Sequence, residues 1–267
     1  MKLISLNLWG GQMFPDLMQF LKDQSAETDI FCFQEVFDTP TTRTESRGIR
    51  PNLLTELKKT LADYNFFFDP AEAGYDNVGP VDFPLTAGLG MFIKKSLTVL
   101  DHGDTYVYRE RNSLTTGALD AGNFPRNLQF VRFTWKVQGT APSRWATVFN
   151  LHGLWDKSGK HDTPDRLRQS VLTKEFMAKF PGPKILAGDF NLNPETESLK
   201  ILEKEMRNLI KEYKVPTTRG SLYHFYSPTG SLFADYVLVS PEIKVNTFQT
   251  LNIAVSDHLP LELDFTI

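Results

Sequence analysis

The sequence predicts an α/β fold in which two mostly antiparallel sheets pack face to face and helices cover their outer faces. Ten strand-like runs outnumber four helix-like segments along 267 residues. Several of the runs are joined by short turns, as antiparallel neighbours are. Hydrophobic residues make up 41% and aromatic residues 12% of the chain, enough for one large core. No linker, repeat or low-complexity segment divides it, so residues 1–267 read as one domain.

The strand runs are Lys2–Leu8, Ile30–Gln34, Gly88–Ile93, Thr98–Leu100, Leu128–Val137, Ala146–Leu151, Lys184–Ala187, Tyr236–Val239, Lys244–Thr250 and Leu261–Ile267. The last alternates apolar and polar residues, the mark of a half-buried strand. Helices are expected over Pro15–Lys22, Pro51–Ala62, Pro164–Phe180 and Pro194–Asn208. Each opens on proline, which lacks an N–H that the first turn would leave unpaired anyway. Thr163 and Asn193 are candidate N-caps. In the third helix, Leu167, Val171, Leu172 and Phe176 recur at helical spacing and form one apolar face. Asp69–Ala87 and His102–Pro125 are long and rich in glycine, proline, asparagine and aspartate. They are either plain surface loops or the borders of a substrate groove.

Charge narrows the function classes. With 29 basic and 32 acidic residues the net charge is −3, so the chain is no polycation that coats nucleic acid by bulk attraction. A local basic groove stays open. Cys32, the lone cysteine, lies in the apolar run Asp29–Phe33 and is expected to be a buried small residue. No disulfide can form within the chain, and Met1–Asn7 enters a strand with no signal-peptide core. No stretch nears the roughly 18 apolar residues of a membrane helix. A cytoplasmic location is the expectation.

Chemistry-bearing residues sit at the ends of apolar runs. Asn7 closes the first, and Gln34-Glu35 the second. His152 follows Asn150-Leu151, and Gly188-Asp189-Phe190-Asn191 follows Lys184–Ala187. Asp235 precedes Tyr236–Val239, and Ser256-Asp257-His258 precedes the last strand. Each has an ordinary structural alternative: a turn, a salt bridge or a satisfied core histidine. Together they place carboxylates, amides and imidazoles where strand ends converge. That mixture suits a divalent cation and a phosphate. A carboxylate orients or deprotonates water, and an aspartate paired with an imidazole fixes its tautomer and raises its pKa.

The ordered set Asn7, Gln34-Glu35, Asn150-Leu151-His152, Gly188-Asp189-Phe190-Asn191, Asp235-Tyr236 and Ser256-Asp257-His258 resembles the endonuclease/exonuclease/phosphatase superfamily. That group includes deoxyribonuclease I, exonuclease III, neutral sphingomyelinases, inositol polyphosphate 5-phosphatases and tyrosyl-DNA phosphodiesterases. The likeness runs from near residue 2 to near residue 265. It implies a four-layer α/β/β/α sandwich. It implies that Glu35, with Asn7 close by, holds Mg²⁺ or Mn²⁺, and that Asp257 adds metal or water contacts. Asp189 would orient or deprotonate the attacking water and Asn191 would position it. His258, steadied by Asp235, would contact the scissile phosphate, and His152 would donate to a phosphate oxygen. The proton acceptor is left open between Asp189 and His258.

Departures from branch patterns are informative. Val36-Phe37 after Gln34-Glu35 weakens the abasic-site endonuclease branch, and Leu186-Ala187 and Leu192-Asn193 weaken inositol phosphate specificity. Candidate substrate contacts are Arg126, Trp155 and Arg166. Lys157, Lys160, Arg166 and Arg168 could follow a phosphate backbone or form a solvated helix face. Arg43, Arg47 and Arg50 are a second basic group, and Trp9, Phe37, Trp155 and Tyr226 could stack on bases or pack in the rim. The resemblance implies a Mg²⁺- or Mn²⁺-dependent phosphodiesterase acting on nucleic acid or a nucleotide conjugate, with a monomer favoured and the oligomeric state left open. A sphingomyelinase-like or other small-molecule phosphodiesterase is the alternative. A catalytically silent nucleic-acid binder is the alternative of another class.

Overall fold

The computed structural model describes residues 1–111, 113, 124–135, 144–223 and 231–267. The strands in chain order are β1 (Lys2–Asn7), β2 (Ile30–Asp38), β3 (Tyr64–Ala73), β4 (Thr86–Lys94), β5 (Thr98–Tyr108) and β6 (Arg126–Trp135). They continue with β7 (Arg144–His152), β8 (Lys184–Asp189), β9 (Arg207–Asn208), β10 (Asp235–Val239), β11 (Lys244–Thr250) and β12 (Leu261–Thr266). The helices are α1 (Phe14–Ser25), α2 (Leu53–Thr60), α3 (Pro164–Ala178), α4 (Glu197–Glu203) and α5 (Leu209–Glu212).

Two six-stranded sheets result, ordered β11-β12-β1-β2-β4-β3 and β5-β6-β7-β8-β10-β9. Pairing is antiparallel except for β1 with β2 and β7 with β8. Strand alternation divides the core. Leu3, Ile30, Cys32 and Met91 of the first sheet meet Val148, Leu186 and Val237 of the second. Ile4, Leu6, Phe31 and Phe33 point the other way, under Leu17, Leu21, Leu53 and Leu57 of α1 and α2. Met177 of α3 and Leu199 and Leu202 of α4 pack with the second sheet. The four-layer α/β/β/α sandwich follows from that two-sided burial.

Several elements depart from expectation. β3 carries no strand signal: its Tyr64–Phe68 stretch is nearly all aromatic rather than alternating, and Pro70 lies inside it. The strand is at a sheet edge, where proline removes no ladder bond that matters, and the register shifts between Pro70 and Glu72. β5 runs on to Tyr108, while Val137 lies outside the described residues. Proline falls in the first turn of α1 and α3, but α2 and α4 begin after theirs. Thr163 does cap α3, accepting from Arg166 N. α4 is capped by Thr196, not Asn193, and the end of the expected fourth helix is instead β9.

The buried side of α3 is rotated from the apolar stripe. It presents Arg166, Gln169, Ser170, Thr173 and Met177, whereas Val171 is 40% exposed. The cause is hydrogen bonding. Gln169 Oε1 accepts from Leu154 N at 3.1 Å, and Arg166 donates to the carbonyls of Leu154 (3.2 Å) and His161 (2.6 Å). Backbone groups of the loop after β7 need partners, and α3 supplies them.

Candidate active site

Register aligns the candidates across neighbouring strands of the second sheet. β7 places His152 opposite Asp189 of β8, and β10 places Asp235 on the other side of Asp189. Paired residues on adjacent strands project from one face. Asn7 reaches the same point from the first sheet and donates through Nδ2 to Asp189 Oδ2 (3.1 Å) and Glu35 Oε1 (3.2 Å). Its own Oδ1 is fixed by Trp9 N at 2.9 Å. Glu35 gets there by a bulge. Register slips between Phe33 and Val36, and Glu35 has φ of +56°. A left-handed backbone is strained for glutamate, and such strain clusters at working sites. The bulge also sends Gln34 between the sheets, where its Nε2 donates to Asn150 Oδ1 at 2.6 Å. Gln34 and Asn150 thus bond the two sheets to each other.

His258 arrives from the turn before β12. Its Nδ1 lies 2.9 and 2.8 Å from the two carboxylate oxygens of Asp235. Its Nε2 lies 3.7 Å from Asp189 Oδ2, the same distance as His152 Nε2. The segment Thr217–Gly220 zips onto this turn: Leu259 N donates to Thr218 O and Gly220 N to Asp257 O. This brings Arg219 Nη1 into contact with His258 Nε2 and within 3.5 Å of Asp257 Oδ2. Asn191 N donates to Asp189 Oδ1 at 2.9 Å, while Asn191 Nδ2 donates to Gly153 O at 3.3 Å.

The fields sort the roles. Burial pushes the Asp189 pKa up, but His258, Lys160, His152 and Arg219 outweigh it and hold the carboxyl well below its usual range. Asp189 is therefore an anion at any working pH. Burial and Arg219 push His258 down, and Asp235, Asp257 and Asp189 together raise it above its ordinary value. A guanidinium only donates, so the Arg219 contact belongs to the neutral ring. In the protonated ring Nε2–H would repel Arg219, while Asp235 keeps its hold on Nδ1. Burial, aided by Arg126, holds His152 neutral, with a pKa of about 3.

Glu35 and Asp257 offer only oxygen, whereas Asn7 turns its Nδ2 toward Glu35 and Asp189 and its Oδ1 to Trp9 N. Burial raises the Glu35 pKa, and the negative charge of Asp257 raises it further. Hard oxygen donors that repel each other fit a divalent cation such as Mg²⁺ or Mn²⁺, which would remove the repulsion. Asp189, Asp235 and His258 also bring ligand atoms within 4.8 Å of one another. There, however, His258 Nδ1 is engaged by Asp235, which describes a paired imidazole rather than a metal cage.

A cavity of about 760 Å³ opens over these groups, lined by Glu35, Asp189, Asp257, His258, Arg126 and Trp155 among others. Trp9, Phe37, Tyr75, Phe124 and Tyr223 add aromatic walls. Ala71–Asn77 and Phe124–Asn127 border it, so parts of both long loop stretches frame the pocket. Arg166 does not reach it. That side chain is 1% exposed and docks α3 as described, which corrects its assignment to substrate. Nor do Arg43, Arg47 and Arg50: Arg47 donates to Asp76 Oδ2 (2.7 Å) and Arg50 to Glu45 (3.1 Å), and Arg43 lies near Asp82 (3.8 Å). Tyr226 lies outside the described residues. Sequence reasoning misses Arg219, which no pattern in Thr217–Gly220 marks, and Asn77, whose Nδ2 donates to Glu35 at 3.1 Å. Lys160 does not belong to a solvated face but is buried in the pocket wall.

A low-pKa carboxylate, an aspartate-paired imidazole and oxygen donors at one rim suit the chemistry of phosphoester hydrolases. The chain belongs to the Endonuclease/Exonuclease/phosphatase family, whose model matches residues 4–258. Members of that family are phosphoesterases, generally dependent on a divalent metal. The crystal structure of an endonuclease/exonuclease/phosphatase from Bacteroides vulgatus is similar over 100% of this chain and 98% of its own, at 18% identity and TM-score 0.72. A mannosyl-6-phosphatase from Bacteroides thetaiotaomicron aligns over 100% of both chains at 18% identity and TM-score 0.66. Truncated TDP2 from Caenorhabditis elegans aligns over 100% of this chain and 97% of its own, at 16% identity and TM-score 0.60. These likenesses establish the fold. No curated protein matches the sequence. Among the described residues, no helix is long and apolar enough to cross a membrane.

Proposed function

We propose that the protein is a Mg²⁺- or Mn²⁺-dependent phosphodiesterase that cleaves the end of a nucleic acid or a nucleotide conjugate. The observation that carries this is the ionised Asp189 with an imidazole Nε2 3.7 Å away on either side, next to the oxygen donors Glu35 and Asp257. Glu35 and Asp257 would hold the metal, with Asn7 Nδ2 steadying Glu35, and the metal would neutralise phosphoryl charge and stabilise the leaving oxygen. Asp189 accepts a hydrogen bond from water and aims its lone pair at phosphorus. Its depressed pKa makes it a strong orienter and only a passing holder of the proton that water loses, which leaves on the departing ester oxygen as the P–O ester bond breaks. Asn191 N–H and Asn7 Nδ2 hold the carboxylate in that pose. His258, charged through Asp235, donates from Nε2 to a phosphoryl oxygen, and neutral His152 donates beside it.

Aromatic walls and inward-facing cations favour a chain end or a compact conjugate over the middle of a duplex. A small phosphorylated molecule is the second reading. It is favoured by a cavity of about 760 Å³ and by the likeness to the mannosyl-6-phosphatase. The test is hydrolysis of bis(4-nitrophenyl) phosphate with Mg²⁺, then with excess chelator, by wild type and Glu35→Gln. Turnover should require metal and fall at least about a hundredfold in the variant. A panel of single- and double-stranded DNA, RNA, nucleotide conjugates, sphingomyelin, inositol phosphates and sugar phosphates then ranks substrates. Metal-independent turnover, or none on any member, would refute the proposal.

A further inference from the structure

Lys160 is a charged group that the cluster around Asp189 leaves over. It is 6% exposed, and its Nζ has neither a hydrogen-bond partner nor a carboxylate in ion-pair reach among the described residues. Arg166, also buried, is the contrast: a structural cation received by two backbone carbonyls. Lys160 instead lines the pocket that holds Asp189, His152 and His258.

Its backbone is pinned in the pocket wall. Lys160 O accepts from Asn193 N at 2.9 Å, and Asn193 Oδ1 accepts from Ser231 Oγ at 2.7 Å. The preceding turn closes through Gly159 N to Asp156 O, with φ of +113° at Gly159, a conformation that suits glycine. The groups whose fields reach Lys160 most strongly are Arg219 before β10, Asp189 at the end of β8, Asp235 at the start of β10 and Arg166 on α3. His152, at the end of β7, feels Lys160 in turn. Burial first, then Arg219, bring its pKa down to about 7, and the two aspartates pull it back only partly.

A buried ammonium with no partner is among the least tolerated groups in a protein interior. Its retention beside a phosphate-type site calls for a ligand that brings the missing charge. We propose that Lys160 is a catalytic residue whose Nζ donates to a non-bridging oxygen of the bound phosphoryl group, on the Asp189 side of the pocket. The ligand is thus a tetrahedral oxyanion gripped between Lys160, the imidazoles and the oxygen-donor side. The assignment rests on phosphoryl binding at this site. It adds a donor to it and predicts a larger loss for doubly charged phosphates than for singly charged ones.

The test is calorimetric titration of tungstate, a tetrahedral dianion, into wild type, Lys160→Met and Lys160→Arg at fixed Mg²⁺, with thermal unfolding of each. Lys160→Met should bind tungstate at least about tenfold more weakly, because a charge-assisted donor is lost. It should also melt at the same temperature or higher, because an unpaired buried charge is removed. Lys160→Arg should recover part of the affinity. Tungstate binding within about twofold of wild type in Lys160→Met would overturn the assignment. So would a lower melting temperature with binding lost in step with folding, which marks a structural lysine. If tungstate binds through Lys160 but no phosphoester is hydrolysed, this assignment stands and the hydrolase proposal falls. If Lys160→Met keeps both metal-dependent hydrolysis and tungstate affinity, the hydrolase proposal stands and Lys160 has no part in it.

Discussion

Asp189→Asn is nearly isosteric, yet both of its oxygens are committed. Oδ1 accepts from Asn191 N at 2.9 Å and Oδ2 from Asn7 Nδ2 at 3.1 Å. An amide has one acceptor and one donor, so either orientation sets an NH₂ against an N–H. One buried hydrogen bond is lost and one donor is orphaned, a destabilisation of about 1–3 kcal/mol. For a chain of this size that lowers Tm by roughly 2–12 °C. The negative charge that favours protonated His258 goes as well, and with it the acceptor for water, so turnover should fall at least about a hundredfold. The pH dependence has a definite sign. The Asp189 pKa is depressed in the fold, so its stabilisation is present above the unfolded value of about 4 and is lost as pH falls through the folded one. The Tm gap between wild type and variant should therefore persist from neutral pH down to about pH 4 and narrow below it. Differential scanning calorimetry across that range, with initial rates on bis(4-nitrophenyl) phosphate, measures both effects. A rate within about threefold of wild type, or an equal Tm at neutral pH, would refute the reasoning.

Asp235→Asn removes the main charge that raises His258, whose stabilisation is present below the unfolded pKa and lost as pH rises through the folded one. The alkaline limb of activity should move to lower pH, followed by imidazole resonances in NMR titration, and an unmoved limb would remove Asp235 from that role. Gly188→Ala places a Cβ 2.0 Å from Leu151 O at a backbone φ of +140°. It should cost at least about 2 kcal/mol in urea unfolding and displace Asp189, and a stable, active variant would contradict the close approach of β7 to β8.

Strand ends are readable because nearly continuous apolar runs, buried on both faces, stop at a polar terminus at Asn7, Glu35, His152 and Asp189. The buried surface of α3 escapes that logic, because Arg166 and Gln169 are polar residues buried by backbone groups of a loop that precedes the helix. β3 is unreadable, because an edge strand tolerates Pro70 and an unalternating aromatic run. Arg219 carries no local signal, and Lys160 stands out only as one of four cations after β7 that a solvated face explains equally well. One is placed by the pairing of Thr217–Gly220 with the turn before β12, and the other by Asn193 clamping its backbone.

Local residue pattern alone thus determined the layered sheet architecture and the identity of the carboxylates and imidazoles, since strand periodicity and charge are properties of short segments. Only the tertiary structure decided which cations are bonded and which are left over, because that depends on backbone carbonyls and carboxylates brought together from separate strands. For the same reason it alone could separate Arg166, satisfied beneath a loop, from Lys160, whose ammonium lines the pocket without a partner among the described residues.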